Sequence, residues 1–147
     1  VSMDVKNLTL HIAPHSHNDA GWLMPLEEYY QSQTKHILTS VVDVLIANPT
    51  KKFNWADIAF FNRWWTDQTE ERQTRVKQLV ADKQLVFIGG GWVMNDEALP
   101  SYKESMLQMR LGLDFLKDTF GVRPNIAWQI DPFGHSAVTV AVLHKLG

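Results

Sequence analysis

Three polar clusters in this 147-residue chain hold residue types that could do chemistry together. The first is Pro14-His15-Ser16-His17-Asn18-Asp19. His15, His17 and Asp19 are spaced two apart, and in an extended segment residues at that spacing face the same way. An imidazole nitrogen and a carboxylate oxygen presented side by side are both zinc ligands. The alternative is a polar loop or a helix-capping aspartate. The second cluster is Asp131-Pro132-Phe133-Gly134-His135-Ser136. Proline disfavours the helical conformation at the residue before it, so Asp131 should stay extended and project. Its carboxylate can bind the same metal, attack an electrophilic carbon, or both. The plainer alternative is an acid satisfying free N–H groups at a helix start. The third cluster, Gly89 to Glu97, begins with three glycines. Trp92, Asp96 and Glu97 could shape a pocket there, although a structural role in the turn fits them better.

Aromatic residues stand beside two of these clusters. Trp22 follows the first and Phe133 lies two residues beyond Asp131. Either can wall a sugar ring, whose apolar face stacks on an aromatic surface, or pack beneath its own loop. Of the six tryptophans most are expected in the core, Trp64-Trp65 among them. His135 reads as a packing or outer residue rather than a ligand. His11, His36 and His144 carry no case beyond ordinary surface or core histidines.

The elements that must position these clusters alternate. Residues 8–13, 53–56, 85–88 and 125–130 read as strands. Residues 26–47, 58–65, 70–83, 101–120 and 136–146 read as helices, from apolar residues recurring at three- and four-residue spacing. Ser101 with Glu104 forms a capping box, and Gly121 stops that helix. Strands alternating with helices imply an α/β fold with parallel strands joined by right-handed crossovers. In such folds sites gather at the C-terminal ends of strands, where all three clusters fall. Four strands leave an open edge, and the chain stops where a further strand is expected. Residues 1–147 thus read as part of a larger barrel-like domain.

Composition excludes several classes. Net charge is −2 and no basic run occurs, so there is no footprint for nucleic acid. No apolar run is long enough to span a membrane. The chain has no cysteine, hence neither a disulfide nor a thiolate metal site. No signal peptide is expected. Asn7-Leu8-Thr9 is a glycosylation sequon and weakly suggests a secretory route.

Longer motifs carry a resemblance. Ala13 to Leu23, Ile58 to Trp65, Gly90 to Ala98 and Trp128 to Ser136 occur in an order and spacing similar to family 38 of the glycoside hydrolases, the class II α-mannosidases. The Phe60-Phe61-Asn62-Arg63-Trp64-Trp65 block, with Asn95 before Asp96, is closer to the lysosomal type than to the Golgi type. The resemblance implies the N-terminal portion, residues 1–147, of the catalytic domain of a retaining, zinc-dependent α-mannosidase built on a seven-stranded β/α barrel-like domain. It implies that His17, Asp19 and Asp131 bind zinc, that Asp131 is also the catalytic nucleophile, and that Trp22 and Phe133 line the mannose subsite. The fourth zinc ligand, a histidine, and the general acid/base, an aspartate, are implied beyond Gly147, so the segment alone should be inactive. The implied substrate is a mannose-containing oligosaccharide such as an N-glycan, and the implied location is a lysosome or vacuole. A further polypeptide of the same enzyme would be a partner.

Two other readings remain at this point. A metal-dependent carbohydrate deacetylase also uses Asp/His sites on an incomplete α/β barrel, but needs a second histidine pair at four-residue spacing near the metal. The remaining alternative is a non-catalytic truncated product.

Overall fold

A computed structural model of the chain describes residues 8–146. Asn7 of the sequon lies outside the described residues. Two short strands, β1 (Phe53–Trp55) and β2 (Leu85–Phe87), pair in parallel with Phe53 opposite Leu85 and Trp55 opposite Phe87. The helical stretch expected over 26–47 is continuous but of mixed geometry. It runs as α1 (Leu26–Tyr29), a π-helical turn (Tyr30–Thr34) and α2 (Lys35–Ala47). After β1 come α3 (Ile58–Thr66) and α4 (Glu70–Ala81). After β2 come α5 (Tyr102–Phe120) and α6 (Ala137–Leu146).

Residues 8–13 and 125–130 do not form the strands expected of them. Each touches the sheet at one end only. His15 makes an isolated parallel bridge to Asn54, whose N–H donates to Pro14 O at 2.9 Å. On the other side Gly89 N donates to Ile126 O at 2.8 Å. A strand needs a ladder, and no partner covers the outer flank of either segment among the described residues. Leu8, Leu10 and Ile12 accordingly stand exposed. The lateral order is nevertheless that of the sequence: the first segment, β1, β2, then the segment at Ile126.

Burial explains the remaining elements. Trp55, Phe60, Phe61 and Trp64 are fully buried, and Trp65 nearly so, because α3 lays its apolar face on β1 and β2. Phe61 meets Phe87 edge-on at 4.8 Å, and Phe120 at the end of α5 meets Trp65 at 4.9 Å. The tandem tryptophans are core. Ser101 and Glu104 close the expected capping box, and Gly121 ends α5 in the left-handed region with φ 68°. Gly112 allows α5 to lie directly on the glycine-rich loop. A Cβ there would sit 2.7 Å from the Gly91 carbonyl carbon and 2.8 Å from Trp92 N.

Candidate metal centre and cleft

His17, Asp19 and Asp131 converge. His17 Nε2 lies 3.2 Å from Asp19 Oδ1 and 3.6 Å from Asp131 Oδ1. One donor atom from each residue falls within 4.8 Å of the other two. A histidine N–H can satisfy only one carboxylate, and 3.6 Å is too long for a hydrogen bond. Ligands around a tetrahedral zinc with bonds of about 2.0–2.1 Å stand about 3.3 Å apart, which the two measured separations bracket. The donor set therefore fits a divalent cation of zinc's size and ligand preference, with room for further ligands. The side chains are 30, 35 and 45% exposed respectively, so the group is open to solvent and solute.

Local structure sets each member in place. The isolated bridge at His15 anchors the first segment to β1 just before His17 and Asp19. His15 itself packs edge-on against Trp128, 5.0 Å between ring centroids, so it joins the first segment to the fourth rather than joining the donor set. Asn18, between the two donors, is buried and accepts from Thr34 Oγ1 at 3.3 Å, at the last residue of the π-helical turn. Its amide returns to Ser16 O and Oγ. That wrapping turns His17 and Asp19 outward together.

The donors open onto a cleft of about 510 Å³, walled also by Trp22, Phe133, Asp96 and Asp57. Trp22 is 75% and Phe133 91% exposed, so neither packs beneath its loop. Asp96 belongs to this wall and not only to the turn. Trp92 is partly buried against the core, as a structural role requires.

Asp57 is the residue that sequence reasoning missed. It precedes the apolar run of α3 and so reads as an ordinary N-cap, yet its side chain makes no cap hydrogen bond. The glycine-rich loop has taken that role, since Ile58 N donates to Gly91 O and Ala59 N to Trp92 O at 2.8 Å. The Asp57 side chain is left under the cleft, 2% exposed, with Oδ2 lacking a hydrogen-bond partner among the described residues. Burial pushes its carboxyl up to about 6, and neighbouring Asp19 adds to the rise. His17 and the N–H groups of Asn18 and Met94 pull the other way.

Glu97, placed by its sequence in a structural role at the turn, has a side chain only 3% exposed. It accepts from Ser136 N and from Thr139 Oγ1 at 2.7 Å, and pairs with His135 Nδ1 at 3.0 Å. Burial opposes its ionisation, but these three partners outweigh it and hold the carboxyl below the usual glutamate range. His135 is thus an outer residue, as its sequence context suggests.

Comparison with known proteins agrees with the motif pattern. The family described as "Glycosyl hydrolases family 38 N-terminal domain" matches residues 7–147. Alpha-mannosidase C of Dictyostelium discoideum is 48% identical over 136 residues, 92% of this chain and 13% of that protein. Lysosomal alpha-mannosidase of Homo sapiens is 45% identical over 150 residues, 95% of this chain and 15% of that protein. This chain therefore spans a small part of these relatives. An alpha-mannosidase from Enterococcus faecalis has a similar fold, with TM-score 0.68 at 22% identity, over 90% of this chain and 15% of that one. A 4-alpha-glucanotransferase from Thermococcus litoralis does too, with TM-score 0.64 at 15% identity, over 92% of this chain and 20% of that one. At such identities the two structures speak for fold alone.

Proposed function

The chain belongs to glycosyl hydrolase family 38, and from that premise we propose that it is the N-terminal portion of the catalytic domain of a retaining, zinc-dependent α-mannosidase. The observation that carries this reading is the approach of Asp131 to His17 and Asp19 on one face of an open cleft. On this reading the sheet is one arc of a seven-stranded β/α barrel, completed by chain that the larger relatives possess.

His17, Asp19 and Asp131 would hold the zinc, and a histidine outside this segment would complete its protein ligands. Bound zinc would supply a Lewis acid that helps to orient the sugar and to stabilise charge in the oxocarbenium-like transition state. Asp131 attacks the anomeric carbon as the bond to the leaving oxygen breaks, giving a covalent mannosyl ester. An acid outside this segment protonates the leaving oxygen and then, as base, takes a proton from the water that cleaves the ester. Trp22 and Phe133 present apolar faces to the sugar and limit how the ring can enter. Terminal α-mannose of an N-glycan or related oligosaccharide is the substrate. A lysosome or vacuole is the site of action, by analogy with relatives named lysosomal. The rest of the enzyme, on the same or an associated polypeptide, is the partner.

Family membership removes the ground for a carbohydrate deacetylase, and His17 is the one histidine in the donor group among the described residues. Isolated residues 1–147 should bind zinc without hydrolysing an aryl α-mannoside. The enzyme that includes the missing acid and histidine should release mannose first as the α-anomer, read by proton NMR. Turnover by the isolated chain, or first release of the β-anomer, refutes the proposal.

A further inference from the structure

Asp131 has little of its own to hold it. From Asp131 to Gly134 the hydrogen bond present among the described residues is the local one from Gly134 N to Pro132 O, 3.0 Å. The segment is pinned instead at its two ends, and both pins reach the same loop. Before it, Gln129 Nε2 donates to Asn95 O at 3.4 Å. After it, Ser136 N, Thr139 Oγ1 and the His135 ring all meet the carboxylate of Glu97.

That loop is itself anchored to α5. Gln108 accepts from Trp92 N through its carbonyl at 3.0 Å and from Val93 N through Oε1 at 3.1 Å. Its Nε2 donates to Asn95 Oδ1 at 2.7 Å. A rigid path thus runs from the middle of a long helix through residues 92–97 to the start of α6. The Gln129 pin is long and neutral. The Glu97 pin has three partners, sits out of solvent, and places an anion at a helix N-terminus, where the backbone dipole favours it.

We propose that Glu97 is the positioning residue of Asp131: by clamping residues 135–139 to the glycine-rich loop, it holds the Asp131 carboxylate within reach of His17 and Asp19. Glu97 touches neither metal nor sugar and acts only through the loop it fixes. The proposal rests on the reading of Asp131 as a metal-binding carboxylate.

A double-mutant cycle on residues 1–147, read as zinc affinity by competition with a chelating dye, tests it. Glu97→Ala should weaken zinc binding by about 10–100-fold, the usual cost of losing an outer partner. Glu97→Gln, which keeps an acceptor for Ser136 N, should recover much of that loss. In the Asp131→Asn background Glu97→Ala should change affinity by less than about twofold, because the residue it positions no longer binds. A purely structural role predicts equal losses in both backgrounds, and that result overturns the proposal. So does an unchanged affinity in Glu97→Ala while Asp131→Asn weakens binding, which leaves the metal reading intact. Absence of zinc binding by the unsubstituted chain overturns the metal reading and this proposal with it.

Discussion

His17 Nε2 stands 3.6 Å from Asp131 Oδ1, although the two residues come from opposite flanks of the parallel pair and from distant parts of the chain. The separation is too long for a hydrogen bond and suited to a shared cation. Replacing either residue should remove more affinity than losing an outer partner does. His17→Ala and Asp131→Asn are each expected to weaken zinc binding by more than about 100-fold. Isothermal titration with zinc checks this. His15→Ala should weaken zinc binding far less than either, since it removes a contact with Trp128 but no atom of the donor group.

Asp57 makes stability depend on pH in an unusual direction. Its folded value, about 6, lies above the ordinary 3.8, so between these values the native chain binds more protons than the unfolded one. Stability of the metal-free chain should therefore fall as pH rises from about 4 to about 6, by up to about 3 kcal/mol from this group. Asp57→Asn removes the charge and keeps the shape. It should flatten that window and stabilise the metal-free chain at pH 7, as urea midpoints at several pH values would reveal. An unchanged slope would mean that Asp57 is solvated in solution.

Gly112 tests the contact between α5 and the glycine-rich loop. A Cβ there would press on backbone, at 2.7 Å from Gly91 C and 2.8 Å from Trp92 N, and backbone cannot rotate away as a side chain can. Gly112→Ala should cost at least the 1–3 kcal/mol or so typical of overpacking, measured by urea unfolding. Because the same loop carries Glu97, zinc affinity should fall as well. Gly121→Ala is the contrast. A Cβ at Gly121 would meet nothing within 4 Å, but φ is 68°, so the substitution should cost about 1–2 kcal/mol of backbone strain and leave zinc affinity alone.

These cases mark what local sequence can express. Two-residue spacing and the proline after Asp131 are local statements about backbone direction, and they offered His15 as readily as His17 and Asp19; it was the resemblance that singled out His17, Asp19 and Asp131, which the structure brings together. The helices were legible from periodicity, and their caps at Ser101 and Gly121 from residue type. Asp57 was not, because its position before Ile58 looks like an N-cap and the groups that displaced it, Gly91 O and Trp92 O, lie far along the chain. The π-helical turn was hidden too: Tyr30 and Thr34 are buried by contacts with Asp67 and Asn18, which no helical period encodes. Residues 8–13 and 125–130 have strand-like patterns, but a ladder is a property of two segments, and their outer flanks have none among the described residues.

Trp22 separates recognition from folding. At 75% exposure it contributes little to the core, so Trp22→Ala should move the unfolding free energy by no more than about 0.5 kcal/mol. Its indole nonetheless walls the cleft that holds His17, Asp19 and Asp131. Covering about 60 Å² of that face with a sugar ring is worth about 1.5 kcal/mol at the usual area coefficient, or roughly tenfold in affinity. In the enzyme that contains this segment, Trp22→Ala should therefore weaken a mannose-configured inhibitor about tenfold while zinc affinity and thermal midpoint stay put. Phe133→Ala should behave alike, being more exposed still. Equal loss of glucose- and mannose-configured ligands is expected, since an aromatic face reads the ring's apolar side and not its hydroxyl stereochemistry. A selective loss of the mannose ligand would instead assign stereochemical discrimination to the indole and count against that expectation.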